Sequence, residues 1–213
     1  MDAKQLKKIL HQVWYFIWKS NSIWSWIVNI ILAFVIIKFL VYPGLGLTLG
    51  TSHPIVAVVS GSMEHDSSFD QWWNSNAICN EKTCVQSEFY SNFGITKEEF
   101  LAFKFKNGFN KGDIMLLKGA SPEDIEIGDV IVFRNHRPDP IIHRVIKKWQ
   151  ADGGIYYFQT KGDHNKNSVK SLLLDETQIS QEDVIGKATL RIPYLGWIKI
   201  IFIGFLQLIG IIK

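Results

Sequence analysis

The chain has only two cysteines, Cys79 and Cys84, among 213 residues. Two thiols alone are a weak zinc signal; in an oxidising space they could close a small loop, and in a reducing one remain free. It has no Asn-X-Ser/Thr acceptor, so glycosylation does not say which side faces out. It has no block of one charge sign: 23 Lys and Arg are scattered among 20 Asp and Glu, for a formal net charge of +3. Scattered, paired charge does not suggest a nucleic-acid partner. Nor is it polar enough for a disordered chain, since 47% of its residues are hydrophobic. What remains is one globular domain with apolar segments to spare.

The first of these, "IWSWIVNIILAFVIIKFLVY", runs from Ile23 to Tyr42. It matches the ~20 residues a helix needs to cross ~30 Å of hydrocarbon. Asn29 can bond a neighbour, and Lys38 lies near one end, where its stem can snorkel. A cleavable signal peptide is the competing reading; the length of the run and the lack of a clean small-X-small site after it favour an anchor. Lys4, Lys7, Lys8 and Lys19 precede it and "PGLGLTLG" follows, so the positive-inside rule leaves residues 1–22 in the cytoplasm and residues 43–194 outside. Residues 195–213, "LGWIKIIFIGFLQLIGIIK", form a second apolar helix, slightly short for a span. Crossing the bilayer and lying in its interface are both open for it. The soluble part is thus tethered at both ends, which suggests that the bilayer presents its substrate.

Between the tethers, short β-branched runs recur: "PIVAVVS", "DIMLLK", "DVIVFR", "IIHRVIKKW", "IYYFQT" and "VIGKATLRI". The expected fold is mainly β, a sheet domain with Asp152-Gly153-Gly154 closing a hairpin. An insertion of about residues 66–107 interrupts it. There Thr96 and Glu99 have capping-box spacing ahead of a short helix with Phe100, Leu101 and Phe103. Two readings of the insertion stand: a small separate core, stapled by Cys79 and Cys84, or a lid whose Trp72 and Trp73 dip into the membrane interface.

The apolar run "VAVVSGSMEHD" stops at two serines around a glycine. A serine hydroxyl becomes a useful nucleophile only when a base takes its proton. Of six histidines, His143 has a rigid mount, on a strand whose alternation groups it with Ile141 and Val145. A carboxylate would fix its tautomer, and "FQTKGDHN" offers Asp163 after a strand and a glycine. A buried structural histidine and an ordinary Lys-Gly-Asp turn are the plainer alternatives.

Together, "SGSMEHD", "GDVIVFRN", "IIHRVI", "TKGDHN" and "DVIGKATLRIPYLGWI" resemble type I signal peptidase, in its Ser/His branch of archaea and the endoplasmic reticulum membrane. The resemblance implies a membrane-bound serine endopeptidase that removes signal peptides from secretory preproteins, with no metal or cofactor. Its partners would be those preproteins, the lipid bilayer and the protein-export machinery. It would sit in the cell membrane, or in the endoplasmic reticulum membrane of a eukaryote, with the catalytic domain on the extracytoplasmic side. By the same resemblance Ser62 is the nucleophile, His143 the base and Asp163 the aspartate of the Lys-Gly-Asp block. The Ser62 N–H and the Ser60 hydroxyl would hold the oxyanion, and Gly61 would let the backbone turn. Two departures stand out: the insertion separates the serine motif from "NKGDIMLL", and the second aspartate common after Lys-Gly-Asp is missing at Asn167, Ser168 and Val169. Asp175, or Glu176, would substitute if the loop curls back.

Three rivals remain. One is a catalytically inactive β-domain that binds partners through its aromatic insertion. A metal-dependent hydrolase would use His136, His143, Asp163 and His164, but no pair has zinc-protease helix spacing. Self-cleaving repressors use a related sheet, but with a lysine base.

Overall fold

The computed structural model describes residues 2–136 and 138–210. They form two units, residues 1–48 and 49–213.

The first unit begins with a helix absent from the sequence reading, α1 (Ala3–Trp18). After an elbow, α2 (Ile23–Ile36) starts at Ser22, whose hydroxyl accepts from the Ser25 N–H. Ser25 Oγ and Asn29 Nδ2 donate to the Phe16 and Ile17 carbonyls, at 2.6 and 2.9 Å. These carbonyls end α1 and have no partner within it. The helix does not stop at Tyr42 as expected. A widened turn over Ile37–Val41 leads into α3 (Tyr42–Leu49). Its Tyr42 N–H bonds the Ile37 carbonyl, and the wider turn makes room for the Pro43 ring, which would strain a regular helix. Ile23–Leu49 thus gives 27 helical residues, by length and composition enough to cross a membrane.

The second unit carries a seven-stranded antiparallel sheet. Its strands are β1 (Ile55–Ala57), β4 (Ile114–Lys118), β5 (Val130–Phe133), β6 (Ile141–Gln150), β7 (Tyr156–Lys161), β8 (Ile179–Ser180) and β9 (Val184–Ile192). They lie in the order β1-β4-β9-β5-β6-β7-β8, so β1 is an edge strand. The six β-branched runs all supply strands; β8, two residues long, had no such signal. At the β6–β7 hairpin Gly153 and Gly154 have φ of 87° and 84°, which explains two glycines in succession. The sheet is lined by branched aliphatic residues on both faces. Val130 and Val132 of β5 pack with Val58, Met63 and Leu117, while Ile131 and Phe133 pack with Val145 and Phe158.

The insertion builds α4 (Phe69–Trp73), the hairpin β2 (Asn76–Cys79) and β3 (Lys82–Val85), α5 (Gln86–Ser91) and α6 (Lys97–Ala102). A disulfide joins Cys79 to Cys84. The Thr96–Glu99 capping box opens α6 and Phe100 is buried, although Leu101 faces solvent. The lid reading is corrected here: Trp72 and Trp73 are 3% and 5% exposed, packed with Tyr90, Phe100 and Ile146 of β6. Their large apolar rings are what gives this short, loop-rich segment a core.

After β9, α7 (Trp197–Leu208) starts beside Asp113, a buried carboxylate paired with Arg191 and accepting from the Tyr194 and Asn110 N–H groups. Its 12 residues rise about 18 Å, short of the ~30 Å of a bilayer core. Positions 211–213 of the apolar tail lie outside the described residues.

Candidate active site

Just past β1 the chain turns through Ser60-Gly61-Ser62, and Met63 anchors the turn. The Met63 side chain is fully buried, its carbonyl accepts the Phe109 N–H at 3.0 Å, and its Sδ receives the Asp163 N–H at 3.3 Å. The Ser62 carbonyl accepts from the His164 N–H at 2.9 Å. Ser62 is thereby held from both sides, with its Oγ 2.8 Å from His143 Nε2 and 3.2 Å from Ser60 Oγ.

On β6, His143 pairs with Ile131 of β5 and is nearly buried. Its Nδ1 meets Oε1 of Glu176 in a short hydrogen bond. Glu176 is fully buried; Oε1 also accepts from Thr160 Oγ1 at 3.0 Å and Oε2 from the Val169 N–H at 2.8 Å. Both oxygens of this carboxyl group thus serve as acceptors, for three donors in all. The network therefore assigns the His143 proton to Nδ1, which leaves Nε2 free to accept from Ser62.

Asp163, the expected carboxylate, is elsewhere. Arg144 grips it from Nε at 2.9 Å and Nη2 at 2.7 Å, and Tyr90 Oη and His65 Nε2 add contacts at 3.3 and 3.2 Å. Arg144 follows His143 on β6, so alternation aims it at the opposite face of the sheet. Burial alone would raise the Asp163 carboxyl, but the Arg144 guanidinium, helped by His65, holds it well below the usual range. Asp175 is exposed and bonds the Thr177 N–H at 2.9 Å, a turn contact. Among the six histidines, His136 is exposed, and His164 pairs with Asp66 at 3.3 Å.

Glu176, which the sequence offered only as an alternative beside Asp175, arrives after a loop closed by the Lys170–Asp175 bridge. Two further residues were missed in the sequence. Gly162 had a signal, the Lys-Gly-Asp turn, but the reason for it is tertiary. A Cβ there would lie 2.6 Å from the Ser62 carbonyl and 2.8 Å from His143 Nε2. Lys161 is fully buried, donates to the Gly162 and Asp163 carbonyls and lies over the Phe89 and Tyr90 rings. Burial pushes its ammonium down to about 7, against the pull of Asp163 and Glu176.

A cleft of about 300 Å³ opens beside Ser62 and His143, between residues 57–60 and 138–142. Both walls are chain segments, and the floor is apolar, with Val58 and Ile142 among its residues. An extended peptide can lie along such an edge and bring a carbonyl to Ser62.

No protein-family model matches the chain. Among curated proteins it is similar to the signal peptidase complex catalytic subunit SEC11C of Homo sapiens and of Canis lupus familiaris. Each is 28% identical over 164 residues, 76% of this chain and 64% of the relative. The chain thus spans somewhat under two thirds of those relatives' length. The signal peptidase complex catalytic subunit SEC11 of Colletotrichum graminicola is 24% identical over 188 residues, 82% of this chain and 84% of the relative. The homologues of this chain are therefore named signal peptidase catalytic subunits, at modest identity over most of its length.

Proposed function

We propose that the chain is a membrane-bound serine endopeptidase that removes signal peptides from secretory preproteins, with Ser62 as nucleophile, His143 as base and Glu176 as the carboxylate that orients it. The observation that carries this reading is the unbroken run of hydrogen bonds from Ser62 Oγ through the His143 ring to Glu176.

As a preprotein carbonyl enters the cleft, Ser62 Oγ bonds to its carbon and His143 Nε2 takes the hydroxyl proton. The imidazolium is stabilised by Glu176 through Nδ1–H. The Ser62 N–H and the Ser60 hydroxyl receive the oxyanion, Ser60 turning its donor from Ser62 to the new charge. Collapse breaks the C–N bond, and the proton on Nε2 passes to the leaving amine. Water, deprotonated in turn by His143, then hydrolyses the ester and frees Ser62. The Ile23–Leu49 helix anchors the enzyme, with Lys4, Lys7, Lys8 and Lys19 on the cytoplasmic side and the sheet domain outside. The names of the relatives support work within a complex, alongside other subunits and the export machinery.

The test is cleavage of a preprotein by the detergent-solubilised chain in the presence of a chelator. Wild type should cut it, and Ser62→Ala and His143→Ala should fall to background while remaining folded. Retained cleavage by folded Ser62→Ala would overturn the mechanism.

A further inference from the structure

The sixteen residues of α1 sort by character around its axis. At 100° per residue, Ile9, Val13, Leu6, Ile17, Leu10 and Trp14 sweep one arc of about 140°. The other arc gathers Lys4, Lys7, Lys8 and His11, and α1 contains no acidic residue. Nothing among the described residues covers the apolar arc: Leu6, Ile9, Leu10, Val13 and Trp14 are each between 44% and 60% exposed. Left in water, such a face would be a liability.

Two further facts say what covers it. The hydrogen bonds from Ser25 and Asn29 tie the last turn of α1 to the first two turns of α2. If Ile23–Leu49 spans the bilayer, as the proposed function requires, its first residues mark the interface and α1 is fastened there. Trp14, Tyr15 and Trp18, in the last turns of α1 before that elbow, are of the types that favour headgroup depth. We propose that α1 lies in the plane of the membrane, its apolar arc sunk into the interface and its lysines against anionic lipid headgroups. The complementary partner of an acid-free cationic arc beside an apolar one is a negatively charged lipid surface. A helix so placed also fixes the depth of the span, since sliding it along the membrane normal would pull α1 out of the interface.

The test uses the full chain in nanodiscs of phosphatidylcholine alone or mixed with phosphatidylserine. Spin labels are placed singly at Leu10→Cys and Lys8→Cys, with the Cys79–Cys84 disulfide kept intact. With anionic lipid, the label at residue 10 should be open to oxygen and shielded from a water-soluble nickel chelate, and the label at residue 8 the reverse. Replacing Lys4, Lys7 and Lys8 with Gln should cut the docked-to-free ratio on the order of a hundredfold. High salt should weaken docking in the same direction. Equal water exposure of both labels would overturn the proposal. So would indifference to lipid charge, or shielding of residue 10 only when another protein co-purifies. None of these readouts needs peptidase activity, so failure here leaves the Ser62 mechanism standing, and failure of that mechanism leaves α1 where the labels find it.

Discussion

Two buried carboxylates lie on opposite faces of the same sheet and have opposite companions. Glu176 faces the side of β6 that carries His143 and Val145, and its donors are an imidazole, one hydroxyl and one amide. Asp163 faces the side that carries Arg144 and Ile146, under the aromatic insertion, and a guanidinium saturates it. The partner determines the use: a histidine can give and take a proton near neutrality, whereas an arginine cannot. One carboxylate is therefore poised for chemistry and the other locked for structure, and strand alternation at residues 143 and 144 separates them.

The sharpest way to break this contrast is to neutralise each carboxylate. Glu176→Gln should lower kcat by about 10⁴-fold, the usual cost of losing the histidine's orienting carboxylate. Asp175→Asn should cleave at the wild-type rate. Equal losses in preprotein cleavage from Glu176→Gln and from folded Asp163→Asn would end the contrast.

Asp163→Asn should act mainly on stability, because it leaves the buried Arg144 charge without its counter-ion, held by the Lys104, Gly128 and Phe105 carbonyls. Removing one member of a buried pair costs about 3–5 kcal/mol, read as a lower denaturant midpoint. Its pH signature has a definite sign. The Asp163 carboxyl is depressed in the folded chain, so its stabilisation is present above the ordinary aspartate range and is lost as pH falls below about 4. Wild type should therefore lose stability on acidification below pH ~4 more steeply than Asp163→Asn.

Gly162→Ala probes the seam between the two faces. Its methyl group would meet the Ser62 carbonyl and the His143 ring, and a displacement near 1 Å costs on the order of 10²-fold in rate. Unchanged kcat in a folded Gly162→Ala would show that the turn has slack.

Smaller effects come from the insertion. Tyr90→Phe removes one donor to Asp163, and Trp72→Phe removes the indole N–H that reaches the Asp163 carbonyl at 3.0 Å. Each should cost about 1 kcal/mol in unfolding, with kcat little changed. Lys161 gives the subtlest readout. Its folded value near 7 lies below its unfolded 10.5, so wild-type stability should rise as pH goes from 7 towards 10. Lys161→Met should remove that rise, and a persisting rise would show that other groups cause it.

The strands were legible because β-branched runs are a local signal, and so was the capping box of α6. The serine and histidine were legible by type and by resemblance. Glu176 stood only as an alternative beside Asp175, since its approach depends on a loop returning over a dozen residues, and the β6–β7 register that sets Lys161 opposite Arg144 is likewise non-local. Asp163 misled because the Lys-Gly-Asp turn records only that an aspartate follows a strand; which face it joins is decided by that register. The lysines of α1 were read for topology alone, and the helix that orders them went unseen. Trp72 and Trp73 showed their size in the sequence but not their burial.

The loop before Glu176 has one more use. The Lys170–Asp175 bridge closes its base, the Ser171 N–H bonds the Leu174 carbonyl at 2.8 Å, and Leu174 is buried, while Leu172 and Leu173 stand in solvent at the tip. The anchor and the tip are thus mechanically separate. Extra sequence accepted between residues 172 and 173, such as an epitope or a fluorophore tag, would hang from a clamped stem, a handle two residues from the buried end of the site that does not disturb it.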